Sequence, residues 1–429
     1  MELVLGKVKN LKGDISVPGD KSISHRSLIL GSIAQGETRI YNFLDSLDCL
    51  RTLECMRALG VEIKKVSNNF LKIKGKGLYG LEEPKDVLEV GNSGTTIRLL
   101  AGLLSGQKFY SVLNGDDSIR KRPMKRVVQP LRLMGANIWG REDGELSPLS
   151  IKGNRIKPLC YTLPVASAQV KSALLLAGLY TNGEIVIKEP LPTRDHTERM
   201  LKIMQADIKI CPPKIKIRGG KELKGTDIFV PGDISSAAYF IIAASMLKDS
   251  QVIIKQVGFN PTRIGIVKIL NKMGAKIDIL NHQIKSNEAR VDLKIEYSEL
   301  KGLEVTKENV PFLIDELPLI AVLATQAQGE TVVSGAKELR VKESDRIKAI
   351  VSELKKMGTD IKEKDDGFIV RGPSKLHGAV CDSYNDHRIA MSLAVAALLA
   401  EGKTIIKNSE CIDISFPGFK KTLQKLINF

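Results

Sequence analysis

Val17-Pro18-Gly19-Asp20 recurs as Val230-Pro231-Gly232-Asp233, 213 residues further along the chain, and each copy opens an apolar, helix-like stretch. The likeness continues well past the motif. The first copy runs on to Arg57-Ala58-Leu59-Gly60-Val61-Glu62-Ile63 and the second to Lys272-Met273-Gly274-Ala275-Lys276-Ile277, so Gly60 and Gly274 lie 214 apart. Generic alternation of strands and helices would not keep this offset, so the chain reads as two duplicated halves.

A shorter period lies inside each half. Polar helix starts followed by apolar runs fall near residues 20, 91, 164, 232, 315 and 384. Each unit reads as a first helix, a glycine-marked turn, an alternating strand, a second helix and a further strand pair. The turn and strand are clear in Gly36-Glu37-Thr38-Arg39-Ile40, Gly183-Glu184-Ile185-Val186-Ile187, Gly329-Glu330-Thr331-Val332-Val333 and Gly402-Lys403-Thr404-Ile405-Ile406. Second helices end at Gly60, Gly135, Gly274 and Gly358, where a helix C-terminus favours a left-handed residue; the third unit has Gln205-Ala206 instead. Units of this length are too long for a classical solenoid and suit an α/β protein of two lobes with three units each. If the two Val-Pro-Gly-Asp segments are equivalent crossing points, one lobe is 20–233 and the other joins 1–19 to 234–429.

The composition excludes several classes. Charged residues make up 27% of the 429, close to the globular average, which rules out wholesale disorder. The six cysteines form no C-x-x-C pair and have no zinc-like spacing with histidine, as in a reduced intracellular protein. The N-terminus lacks a signal-peptide pattern, and the longest apolar runs, near Ile389–Ala400 and Ala237–Leu247, fall short of the about 20 residues that a membrane span needs. A soluble, cytoplasmic protein is expected. The net charge of +16 invites a nucleic-acid partner, but Lys supplies 45 of the 65 cations and Arg only 20. Scattered lysine is mostly solvated surface, and small anions are the better expectation.

The strongest local signal is Gly19-Asp20-Lys21-Ser22-Ile23-Ser24-His25-Arg26. With Asp20 as N-cap, Lys21 and Ser22 fall in the first turn and Arg26 one turn on, so N–H groups, a hydroxyl and two cations favour an anion there. The copy after Asp233 reads Ile-Ser-Ser-Ala-Ala, without the cations. Gly91-Asn92-Ser93-Gly94-Thr95-Thr96-Ile97-Arg98 is a second small, hydroxyl-rich helix start. Arg120-Lys121-Arg122-Pro123 suits either an anion or a solvated loop, and Ser167-Ala168-Gln169 offers uncharged hydrogen-bonding groups. In the second half Asp315 is either an N-cap or a general base. Lys342 and Arg346 are spaced i,i+4, with Glu343 and Asp345 interleaved, as on one helical face or a charged surface helix. Tyr384-Asn385-Asp386-His387-Arg388 precedes another apolar helix. Neither the five histidines nor the glycines form a metal or dinucleotide pattern, so no metal and no cofactor are expected.

Gly-Asp-Lys-Ser-x-Ser-His-Arg, Gly-Asn-Ser-Gly-Thr-Thr, Lys-Arg-Pro-Met, Val-Lys-Glu-Ser-Asp-Arg and Tyr-Asn-Asp-His-Arg, in this order along essentially the whole chain, resemble the 5-enolpyruvylshikimate-3-phosphate (EPSP) synthase family of enolpyruvyl transferases. The resemblance implies a two-lobed inside-out α/β barrel, each lobe three βαβαββ units. It implies transfer of the enolpyruvyl group of phosphoenolpyruvate to the 5-hydroxyl of shikimate 3-phosphate, through a tetrahedral intermediate. Carried over by motif, Lys21, Arg122, Arg346 and Arg388 hold phosphoenolpyruvate, with Gly94 lining that site. Lys21, Ser22, Arg26, Ser167, Ala168, Gln169 and Lys342 hold shikimate 3-phosphate. Asp315 contacts its ring hydroxyls and serves as base, while Lys21 and Glu343 are the candidates for moving protons at the methylene carbon. The implied partners are these two small molecules, with no nucleic acid and no membrane, acting on a monomer.

Three departures from the family pattern stand out. A C-terminal-loop lysine found in many members is Ile414 here, Ser-Ser-Gln is Ser167-Ala168-Gln169, and Thr193-Arg194-Asp195 replaces a tyrosine-containing version, which makes Arg194 an additional candidate contact. The rival enzyme, the UDP-N-acetylglucosamine enolpyruvyl transferase, typically carries Lys-Asn at Lys21-Ser22 and a reactive Cys in the loop Asn114 to Pro123, which holds none here. A basic nucleic-acid-binding protein is the remote alternative.

Overall fold

The computed structural model describes residues 1–427. The chain divides into two compact units, Gly19–Val230 with Lys285–Glu288, and Met1–Pro18 with Pro231–Ile284 and Ala289–Phe429. The first differs from the expected 20–233 at its ends. Residues 231–233 stay with the second unit because Asp233 N–H donates to Pro18 O at 2.9 Å and Gly232 N–H to Gln256 O at 2.8 Å. Lys285–Glu288 join the first unit through bonds of their own, among them Phe229 N–H donating to Ser286 Oγ at 3.0 Å.

Five of the six repeats build the same mixed-sheet order, and the sixth sheet has three strands. Tyr110–Asn114 pairs in parallel with Leu88–Glu89 and antiparallel with Leu146–Lys152, which in turn pairs antiparallel with Asn137–Gly140. The sheets centred on Glu184–Lys188 and Gly329–Val333 repeat this order. In the remaining sheets the crossing becomes intelligible. Lys12–Ser16, which leads into the first Val-Pro-Gly-Asp, pairs in parallel with Gln251–Gly258; Asp227–Phe229, which leads into the second, pairs in parallel with Ala34–Tyr41. Each motif therefore joins a strand that completes one unit to a helix that opens the other. In the sixth sheet the N-terminal Glu2–Gly6 lies antiparallel to Lys403–Lys407.

Periodicity sets which face is covered. Glu184–Lys188 alternates, with Ile185 and Ile187 fully buried and its other side chains half-buried, as a strand with one face on the core does. Apart from Lys21–Ser32, with its polar opening, the first helices are largely apolar all round, as interior helices are. Every residue of Ile234–Met246, Leu317–Ala324 and His387–Ala397 is buried, and Gly94–Ser105 exposes only part of Thr95. Three interior helices with sheets outside them make the inside-out barrel in each unit. The second helices stop at Gly60, Gly135, Gly274 and Gly358, all with positive φ near +90°. Gln205 takes the equivalent place at φ +66°, so the missing glycine changed the residue and not the turn. Among the described residues no helix is long and apolar enough to cross a membrane.

Close approach of two interior helices yields a test. A methyl added at Gly102 would stand 2.7 Å from the Cα and carbonyl carbon of Ala173, which are backbone and cannot swing aside. Gly102→Ala is expected to lower stability by about 1–3 kcal/mol despite alanine's better helix propensity. Denaturant melts of both proteins check this, and an unchanged midpoint would contradict the packing.

Candidate active site

In the unit Gly19–Val230 the three interior helices begin at side-chain caps. The Asp20 carboxylate accepts from Ile23 N–H at 2.9 Å, Ser93 Oγ from Thr96 N–H at 3.2 Å and Ser167 Oγ from Val170 N–H at 3.4 Å. The three starts are then lashed together by polar side chains. His25 Nδ1 and Thr96 Oγ1 both lie 2.7 Å from Thr52 Oγ1. Arg98 Nη1 donates to Gln169 Oε1 at 2.8 Å, and Gln169 Nε2 to Thr95 Oγ1 at 3.1 Å. Arg26 closes the triangle, donating from Nη2 to Ser172 Oγ at 2.8 Å.

Of the predicted residues of this half, Arg26 and Arg122 are buried, while Lys21, Ser22, Ser167, Ala168 and Gln169 are half-buried at these helix starts. Arg26 is buried and also donates to Thr197 Oγ1 at 2.6 Å and to Ser22 O at 3.0 Å, so it braces the helix start as well as charging it. Lys21 Nζ lies 3.1 Å from Asp48 in the first turn of Leu47–Ala58. Sequence reading missed Asp48; an acid early in a helix is common, and nothing local says that it faces Lys21. Arg120, Lys121 and Arg122 part company. Arg120 pairs with Asp117 and Lys121 is exposed, whereas Arg122 turns inward to Asn92 Oδ1 at 2.7 Å and Ser118 Oγ at 3.2 Å. A Cβ at Gly94 would stand 2.8 Å from Arg98 Nη1 and 3.2 Å from Arg122 Nη1, so glycine is what lets two guanidiniums approach this helix start.

The other unit repeats the plan with different residues. Asp233 caps Ile234–Met246, and Arg263, from a separate segment, donates to Asp233 Oδ1 at 3.1 Å and Ser235 Oγ at 2.7 Å. The copy therefore regains a cation that its own helix lacks. Ser235 Oγ donates to Glu316, whose carboxylate lies 3.9 Å from Arg388 Nη1. Arg263 and Glu316 were not anticipated, because one stands apart from any motif and the other beside a residue that drew the attention.

Two expectations need correction. Asp315 does not cap: the helix starts at Leu317 after Glu316, which makes no side-chain cap bond. Asp315 instead faces Arg346 Nη1 at 3.5 Å and Arg388 Nη2 at 3.9 Å. Lys342 and Arg346 share no helix, since Lys342 ends a 3-10 turn in extended conformation and Asp345 caps a new helix that begins at Arg346. Fully buried Arg346 gathers three carboxylates, Asp386 at 2.8 Å, Glu343 at 2.6 Å and Asp315. Arg388 lies outside hydrogen-bond distance of both neighbouring carboxylates and interacts with the Tyr239 phenol, which burial pushes up to about 12. Burial also pulls the half-buried Lys342 ammonium below its ordinary value, with Asp315 and Glu338 opposing. Ile414 ends a 3-10 helix and packs on the apolar core, with no charge to offer. Cations fixed beside carboxylates can bind anions and move protons at the same place.

A family model described as EPSP synthase (3-phosphoshikimate 1-carboxyvinyltransferase) matches residues 5–423. The chain is 50% identical over 427 residues to the 3-phosphoshikimate 1-carboxyvinyltransferase of Desulforamulus reducens, covering 100% of each. It is 52% identical over 429 residues to that of Petrotoga mobilis, covering 99% of each. Among solved structures, an EPSP synthase from Acinetobacter baumannii superposes with a TM-score of 0.88 at 45% identity, covering 99% of this chain and 98% of that one. The enolpyruvyl transferase NikO from Streptomyces tendae shares the fold, with a TM-score of 0.79 at 19% identity over 99% of this chain and 97% of that one.

His25 gives this site a measurable pH signature. Burial, then the charges of Lys21 and Arg26, hold its imidazole well below 6.5. The unfolded chain therefore binds a proton that the folded one refuses. Stability present above pH 6.5 should fall on acidification toward the folded value, with His25 adding up to about 1.4 kcal/mol per pH unit to the slope. Urea melts between pH 7 and 5 should show a shallower slope for His25→Gln than for the wild type; equal slopes would contradict a neutral, buried His25.

Proposed function

Because the chain belongs to the EPSP synthase family, the 3-phosphoshikimate 1-carboxyvinyltransferases, we propose how its own residues divide that reaction. The protein transfers the enolpyruvyl group of phosphoenolpyruvate to the 5-hydroxyl of shikimate 3-phosphate and releases phosphate, a step of the shikimate pathway. Lys21, Arg122, Arg346 and Arg388 take the phosphate and carboxylate of phosphoenolpyruvate, with Gly94 giving Arg122 room. Lys21, Ser22, Arg26, Ser167, Ala168, Gln169 and Lys342 take shikimate 3-phosphate, and Asp315 its ring hydroxyls.

One observation supports these roles above the others. Asp315 and Glu343, the carboxylates assigned to proton transfer, both contact the buried guanidinium of Arg346. A base and a proton carrier are thereby fixed beside a cation suited to the reacting anion. Protonation of the methylene carbon, by Lys21 or Glu343, leaves the adjacent carbon cation-like. The 5-hydroxyl adds there as Asp315 takes its proton, giving the tetrahedral intermediate. Loss of a methyl proton then expels phosphate, whose charge the arginines and Lys21 stabilise. The protein works on these small anions, and we assign it to the cytoplasm as a monomer without nucleic-acid or membrane partners, its lysine excess being solvated surface.

Phosphate release from phosphoenolpyruvate should require shikimate 3-phosphate and should not occur with UDP-N-acetylglucosamine; the reverse would overturn the assignment. Lys21→Met and Glu343→Gln should each lower kcat by about 10²–10⁴-fold with the circular dichroism spectrum unchanged. Undiminished turnover in either variant removes that residue from the mechanism.

A further inference from the structure

Lys171 lies in the middle of polar bonds that neither the motifs nor the assigned roles require. It sits one turn into the apolar helix Ala168–Gly178, with its side chain 1% exposed. Its Nζ is 2.6 Å from Glu198 Oε1 and 3.0 Å from Glu189 Oε1, and donates to Thr193 O at 3.4 Å. Burying such a set is not a good way to gain stability, because well-packed apolar side chains of similar volume commonly do as well or better. Its use must lie in what it holds in place.

One ammonium here ties together three pieces of chain. Glu189 opens the segment that ends in Thr193-Arg194-Asp195, and it also accepts from Thr193 Oγ1. Glu198 lies in the first turn of His196–Ile203. That same turn carries Thr197, which holds Arg26 Nε, while Ser172, the neighbour of Lys171, holds Arg26 Nη2. The far side of the turn is fixed separately, by His196 Nδ1 to Glu288 at 2.7 Å and Arg199 Nη1 to Asn287 O at 2.9 Å. Burial raises the Glu198 carboxyl above its ordinary value, and the adjacent Lys171 opposes this.

We propose that Lys171 is a positioning residue for shikimate 3-phosphate, setting the aim of Arg26 and Arg194 by fixing the Glu189–Asp195 segment and the start of His196–Ile203 against the helix Ala168–Gly178. It acts through those residues and touches no substrate. The inference rests on the function assigned above.

Steady-state phosphate release, with each substrate varied in turn, tests it on the full-length protein. For Lys171→Met the KM for shikimate 3-phosphate should rise about tenfold or more, while that for phosphoenolpyruvate stays within about twofold. Lys171→Met/Glu198→Met, which fills the site with apolar volume, guards against simple misfolding and should keep the same selective rise. An unchanged KM for shikimate 3-phosphate, equal rises for both substrates, or full recovery in the double variant would each overturn a positioning role. A wild-type protein inactive with shikimate 3-phosphate would overturn the functional assignment itself, whereas an active wild type with an unaffected variant removes Lys171 alone.

Discussion

A helix buried on every side still has N–H groups in its first turn with no partner inside the helix, and in an apolar core those groups must find one. That requirement is met at five of the six interior helix starts here by a capping side chain, from Asp20, Ser93, Ser167, Asp233 or Asp386. Polar residues therefore collect at one end of each central helix while its length stays apolar. The proposed function uses the end that the fold was obliged to make polar. Lys21, Gly94, Gln169 and Arg388 all lie in the first turn of such a helix, where the dipole and remaining N–H groups already favour an anion.

Three of the assigned cations are held before any ligand arrives. Arg346 is gripped by Asp386 and Glu343, Arg122 by Asn92 and Ser118, and Arg26 by Thr197 and Ser172. Such fixing removes reorganisation from the reaction step, which is where charge stabilisation gains most over water. It also explains why a net charge of +16 says little by itself. The guanidiniums to which we assign the chemistry are buried and partnered, while exposed lysines such as Lys74 and Lys375 meet carboxylates only at the surface.

Duplication kept the frame and let the contents drift. Both first helices start from Val-Pro-Gly-Asp with an aspartate cap, and both are tied sideways to the other interior helices of their unit by polar side chains. One copy carries its cations in the helix itself. The other draws Arg263 from a separate segment to the equivalent aspartate. A buried carboxylate needs a partner, and the sequence position of that partner is free so long as the fold delivers it.

Local rules made much of this legible in the chain. The six-fold period, the glycine-ended second helices and the aspartate caps follow from backbone geometry and hydrogen-bond need, which act within a few residues; even Gln205 obeyed the turn that its neighbours' glycines announced. The residues of the ordered motifs were legible too, because a helix start displays its chemistry in consecutive positions. Side-chain direction was not. Nothing near Arg120-Lys121-Arg122 says that only the last turns inward, and the i,i+4 spacing of Lys342 and Arg346 meant nothing once Asp345 capped a new helix between them. Asp48, Arg263, Glu316 and the Lys171 cluster were beyond the sequence altogether. Their partners lie 18 to 81 residues away, and a charge pair at such separations is decided only by how the elements pack. Sequence alone determined where helices begin and which chemistry stands there; tertiary packing decided which carboxylate meets which cation, because that choice depends on distances that exist only in the folded chain.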